Sequence, residues 1–185
     1  MKMKLLLLIV FCVVAASQPL QAEQIALWDT PISGRCALEA PAGVPLSVYV
    51  VHTLSPGAKG SSWRIENTSS VLSLGGSCTG LSITGDPFTG ISVSYGSCLT
   101  GTFAICQLTF LKITASPIPG CYHLNVLPSP PEASVGIVGC DDTPRSAVGG
   151  YFSFDPDPEN KIPPCDDCTT AIDPTTWGAV KALYR

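Results

Sequence analysis

Charge is scarce in this sequence: only 13% of its 185 residues are Asp, Glu, Lys or Arg, and there are just 2 histidines. Setting aside Lys2 and Lys4, which belong to a leader, leaves 8 of the 10 basic side chains against 14 acidic ones, a net charge of −6. Such a chain lacks the basic footprint that phosphate backbones and anionic membrane surfaces require, so nucleic acid is excluded as the main partner. Long apolar runs are missing too. After residue 22 nothing reaches the roughly 18 consecutive apolar residues of a membrane-spanning helix. Helical periodicity is absent before residue 170, which leaves little room for an α or α/β fold. No Gly-x-Ser-x-Gly elbow, EF-hand spacing or complete zinc ligand set is present, so no catalytic residue, cofactor or metal is assigned.

What is abundant is Gly (17), Pro (17) and Cys (9). Residues 1–22 have the three parts of a secretory signal peptide: Met1-Lys2-Met3-Lys4, an apolar stretch over 5–16, and Leu20-Gln21-Ala22 before Glu23. Cys12 lies inside the apolar stretch behind the bulky Phe11, which argues against a lipid-attachment site. Export to an oxidising compartment suits the eight cysteines that remain: Cys36, Cys78, Cys98, Cys106, Cys121, Cys140, Cys165 and Cys168. The chain is therefore expected to be secreted (extracellular, cell-surface or periplasmic), with a 23–154 domain, a 155–172 linker and a 173–185 tail.

Over 23–154 the pattern is short strands separated by Gly, Pro and Ser clusters. Leu46, Val48 and Val50 alternate with Ser47 and Tyr49, and Ile91, Val93 and Tyr95 with Ser92 and Ser94. Residues 122–126 alternate likewise, and 102–114 form a longer apolar run suited to a central strand. Further strands are expected at 24–29, 62–66, 70–74, 81–84, 133–140 and 149–154. The pattern predicts an all-β, disulfide-stapled sandwich, with a closed barrel as the alternative. Turns are expected at Ser55-Pro56-Gly57, at 116–120 and at 128–131.

The Gly-Ser-Cys turns at 76–78 and 96–98 would meet at one end of the sheet if the strands around them run up, down and up. Cys78 could then bond Cys98. A hairpin at 117–119 would hold Cys106 and Cys121 more than about 20 Å apart along the strands. Those two are instead expected to seek Cys36 and Cys140, in an order left open.

From Asp155 onward the prolines read as an extended linker. Its Asp155, Asp157, Glu159 and Asn160 read as solvated groups, with calcium the alternative. Cys165-Asp166-Asp167-Cys168 has redox spacing. Its two carboxylates would raise the thiol pKa, so a structural bridge is the reading. A short helix follows, with Trp177, Val180, Leu183 and Tyr184 on one face and Lys181 and Arg185 near its end. It is expected to dock on its own domain or to serve as a sorting tag. His52 and His123 read as rim or solvent-face strand residues, and Asn67-Thr68-Ser69 formally matches a glycosylation acceptor.

Several stretches carry a resemblance. The segment 23–29, Pro45-Leu46-Ser47-Val48-Tyr49-Val50, Gly90-Ile91-Ser92-Val93-Ser94-Tyr95-Gly96 and Gly139-Cys140-Asp141 are similar to small secreted bacterial β-sandwich proteins of immunoglobulin or cohesin-like type. The end of the chain, Trp177-Gly178 through Lys181 to Tyr184-Arg185, resembles their Trp-Gly-x-x-Lys-x-x-Tyr-Arg tail. The resemblance implies a bacterial envelope or extracellular protein and supplies no functional residues. The function expected is a non-enzymatic interaction or structural module whose partner is a surface protein or glycan. The alternatives are a small hydrolase, or a protease inhibitor presenting residues 56–60 or 117–120.

Overall fold

The computed structural model describes residues 22–67, 71–113 and 123–154. Its regular structure is entirely strand: β1 (Gln24–Trp28), β2 (Pro45–Asn67), β3 (Val71–Cys78), β4 (Ser82–Asp86), β5 (Gly90–Lys112), β6 (His123–Leu127), β7 (Val135–Gly139), β8 (Pro144–Gly149) and β9 (Tyr151–Ser153). No helix occurs among the described residues.

Two strands of 23 residues each, β2 and β5, form the spine. They pair antiparallel from Pro45 opposite Leu111 to Trp63 opposite Ile91. Around them the main sheet has the order β1-β8-β7-β2-β5-β3, with β4 beside the first part of β5. Past Trp63, β2 leaves this sheet. Its residues 64–67 pair with β6, and β6 with β9, to make the second layer. Residues 36–40 join that layer, Leu38 and Ala40 donating to the carbonyls of Ser153 and Phe154.

The sandwich follows from the alternation. Val48, Val50, Ile91, Val93, Leu108 and Phe110 turn inward from the main sheet to meet Ile65, Leu124, Val126 and Phe152 from the second, in one buried cluster. Trp63, fully buried, sits where β2 crosses between layers. Phe154 lies edge-on to Phe110 and Phe152, with centroids 5.9 and 5.2 Å apart.

Several sequence expectations need correction. The segments 46–50 and 62–66 are two ends of β2, and 91–95 and 102–112 two ends of β5. Ser55-Pro56-Gly57 is not a turn between strands but part of an irregular stretch of β2, where the register against β5 shifts four times between Val50 and Gly60. The matching stretch of β5 turns at Gly96 and Gly101, with φ of 77° and 79°. Bulges absorb the Pro and Gly residues without ending the strands, which sequence punctuation alone does not reveal. β8 was not expected, because its Pro144-Arg145 start masks the strand pattern.

The disulfides follow from the same geometry. β3 and β4 do not run up and down; both lie antiparallel to β5, one after the other along its outer edge. Cys78 is therefore directly opposite Cys106 and bonds it, with Cα atoms 3.9 Å apart. Cys98 bonds Cys140 instead, with a Cα separation of 5.4 Å. The Cys78 to Cys98 bridge does not form, and neither Cys106 nor Cys140 is left for Cys36 or Cys121. The expected β5 to β6 hairpin is also absent, since β6 pairs with β2 and β9 in the other layer. Cys36 is buried. Cys121, Cys165, Cys168, the acidic linker and the tail residues Trp177, Val180, Lys181, Leu183, Tyr184 and Arg185 lie outside the described residues.

Candidate functional site

The outward face of the main sheet has an unusual floor where β4, β5, β2, β7 and β8 lie side by side. Strand register puts Thr84 opposite Ser92, Ser92 opposite Ser62, Ser62 opposite Gly136, and Gly136 opposite Ser146. One rung across five strands thus carries nothing larger than threonine. The next rung runs through Ser82, Ser94, Gly60, Val138 and Pro144. At about 4.8 Å per strand the floor is roughly 20 Å wide. Together these residues line a shallow groove of about 780 Å³.

The local sequence explains the shape. Ser92 and Ser94 alternate with the buried Ile91 and Val93, so their hydroxyls must face out. Gly136 makes room for the loop before β7, because a Cβ there would lie 2.7 Å from Glu132 Oε2. Glu132 in turn accepts a hydrogen bond from Ser62 Oγ at 3.1 Å, and the Ser134 and Ser146 hydroxyls are bonded at 2.9 Å. At the other end Lys59 Nζ donates to both Asp142 carboxylate oxygens at 2.9 Å. Among the described groove residues, Glu132 is the charged side chain without an opposite-charge partner. Asp141, in the β7–β8 turn, accepts from Thr143 Oγ1 and N–H at 2.7 and 3.2 Å, and these bonds hold its carboxyl below the usual range.

A second polar cluster lies beneath the irregular stretch of β2. His52 is not a rim residue: it is fully buried, on the inward face with Val48 and Val50. Inward parity was legible; burial was not, because its polar partners are distant in sequence. His52 Nε2 lies 2.9 Å from Glu23 Oε1 and Nδ1 lies 3.2 Å from the Tyr95 hydroxyl. A carboxylate only accepts, so Nε2 carries the proton and Nδ1 accepts from Tyr95. The result is a directed relay from Tyr95 to His52 to Glu23. Nearby, Ser61 Oγ accepts from Trp63 Nε1 at 3.1 Å. Burial, opposed by Glu23, holds His52 below its ordinary pKa of 6.5, and burial pushes the Tyr95 hydroxyl above its ordinary range. Glu23 also accepts from Ser55 Oγ at 3.2 Å and Arg145 Nη2 at 3.1 Å, and the same Arg145 nitrogen donates to the Gly57 carbonyl at 2.7 Å.

This cluster holds Ser, His and Glu without being a nucleophilic triad. Ser55 bonds the carboxylate, and both imidazole nitrogens are occupied by Glu23 and Tyr95, so no serine hydroxyl of the cluster has the imidazole to activate it. His123 is half-buried at the start of β6. No group of three or more His, Cys, Asp or Glu placed to hold a metal occurs among the described residues. No helix among them is long and apolar enough to cross a membrane. The stretch 56–60 is part of β2 and not a projecting loop, while 117–120 lies outside the described residues.

No protein-family model matches the chain, and no curated protein matches it. Solved structures similar to it include the following three. A chain of the CaDoc0917–CaCohA2 complex shares 12% identity at a TM-score of 0.47, over 70% of this chain and 97% of its own. The cohesin module of a Clostridium perfringens family 33 glycoside hydrolase shares 7% at 0.40, over 70% and 98%. A non-cellulosomal cohesin from the archaeon Archaeoglobus fulgidus shares 14% at 0.43, over 74% and 94%.

Proposed function

We propose that this domain is a secreted, non-catalytic protein-binding module that works through the hydroxyl-covered face of its main sheet. The observation that carries this reading is the rung Thr84, Ser92, Ser62, Gly136 and Ser146. The rung's own side chains are small, so a partner's surface can approach the floor closely on either side of the Glu132 carboxylate that rests on Ser62. Its hydroxyls can donate or accept to a partner's backbone and polar groups. Among the described residues no aromatic side chain lines the groove, so a glycan would find no ring there to stack on, which favours a protein partner over a sugar. Among the described lining residues no imidazole stands beside the groove hydroxyls, which favours binding over hydrolysis.

Secretion is supported by the two disulfides, which persist in oxidising compartments, together with the leader-like sequence 1–22. The partner is then a protein of the cell surface or surroundings.

The test is a paired substitution, Ser62→Arg with Ser92→Arg, in mature protein used to capture partners from the native envelope. Both sites face outward, so melting should be almost unchanged while capture falls by about tenfold or more, as expected when bulk and charge enter a flat interface. Unchanged capture by a folded variant would move the binding face elsewhere.

A further inference from the structure

At the opposite end of the main sheet from the groove, the outer face carries an apolar corner. Leu111 of β5 lies directly between Pro45 of β2 and Leu72 of β3, so the three share one rung. Leu72 is 48% exposed; Leu74 (49%) follows it on β3, Ile113 (57%) follows Leu111 by two residues, and Val44 (51%) directly precedes Pro45. The nearby cation does not break the patch, because Lys112 is buried and donates from Nζ to the Ala40 carbonyl at 2.9 Å. Adjacent outward positions, Ser47 and Thr109, are uncharged. Clustered large apolar side chains on three neighbouring strands differ from the singly scattered ones that any surface tolerates.

The described chain stops at this same end. The Phe154 carbonyl accepts from Ala40, Gly43 N–H donates to the Lys112 carbonyl, and the Phe154 ring packs on Phe110 beneath the corner. Residues 155–185 follow, and they contain the apolar set Trp177, Val180, Leu183 and Tyr184 behind a Pro-rich spacer. A spacer of about 20 residues reaches roughly 60 Å when extended, several times the roughly 10 Å between sheet layers. Tethering at this short range gives the segment an effective concentration near the millimolar scale, which a second copy of the chain would have to match in bulk.

We infer that the corner formed by Leu72, Leu74, Leu111 and Ile113 is the seat of the chain's own C-terminal segment, with Trp177, Val180, Leu183 and Tyr184 covering it. This assigns a surface to the tail and is independent of the groove.

Limited trypsin digestion of the mature chain, followed by mass spectrometry at Lys181, tests the inference. The comparison is with Leu72→Asp combined with Ile113→Asp, and with Trp177→Ala. The two corner residues are exposed, and a melting curve confirms that each variant folds. Cleavage at Lys181 should be slow in the parent, independent of protein concentration, and about tenfold faster in both variants, because proteolysis follows the population of the undocked state. Three results would each overturn the inference: equally fast cleavage in parent and corner variant, protection that grows with protein concentration, or protection lost in Trp177→Ala but retained in the corner variant.

Discussion

At the scale of single residues, the polar side chains beneath β2 set how the protein responds to acid. His52 is neutral, and its folded-state pKa lies below the 6.5 of an exposed imidazole. Between those two values the unfolded chain binds a proton that the folded one does not. Stability is therefore fully present above about pH 6.5 and falls as pH drops through that value toward the folded pKa. Urea unfolding at pH 7.5 and at pH 5 should show this loss, and His52→Gln should flatten the part that arises from the imidazole. A pH response identical in parent and variant would mean that other groups dominate. Leu54 offers a second test. It holds φ at 55° while its side chain is largely exposed, a conformation that Asn tolerates better. Leu54→Asn should be neutral or stabilising by up to about 1 kcal/mol. A loss of that size would show that the leucine side chain is needed where it sits.

Among the elements, the long strands depend on how their irregular middle is pinned. Cys98 lies in that stretch of β5 and Cys140 in the β7–β8 turn, so their bond ties β5 across β2 to the far side of the sheet. It closes a separation of 42 residues, and Cys78–Cys106 one of 28. Chain entropy alone gives each bridge about 3–4 kcal/mol. Replacing Cys98 and Cys140 together by Ser should cost about 2–4 kcal/mol in non-reducing denaturant melts. A change below about 0.5 kcal/mol would mean that Arg145, reaching to Glu23 and Gly57, already holds the stretch without the bridge.

The elements also show what the sequence could and could not disclose. Strand-period alternation marked Val48, Val50, Ile91 and Val93 as inward and Ser92 and Ser94 as outward, and the structure agrees. Periodicity is local, however, and it carries no information about which strands become neighbours. The fusion of four expected strands into two, and the shared alignment of β3 and β4 on β5, both depend on bulges that Gly and Pro permit without dictating. The disulfide pairing failed for that reason: Cys78 and Cys98 occupy similar Gly-Ser-Cys contexts, yet one sits in a regular ladder and the other in the irregular stretch.

For the whole molecule, the sandwich separates three jobs. Its interior holds the layers together, its buried polar chain fixes β1 against β2 through Glu23 and His52, and its outer sheet face is divided between a hydroxyl floor and an apolar corner. The floor itself was half legible. Ser62, Ser92 and Thr84 could be seen as surface hydroxyls, but a row exists only because β4, β5, β2, β7 and β8 align in register. Glu132, whose carboxylate fills the space above Gly136, comes from a loop whose path no periodicity describes.

The binding role of the floor can be tested most directly by a photo-crosslinking amino acid placed at Ser92, with a control at Ser47 on the other half of the same sheet face. Exposed to the native envelope and illuminated, the Ser92 probe should yield a discrete covalent adduct with a protein, and the Ser47 probe should yield none. Adducts from Ser47 alone, or from neither position while the unmodified protein still captures its partner, would contradict the account.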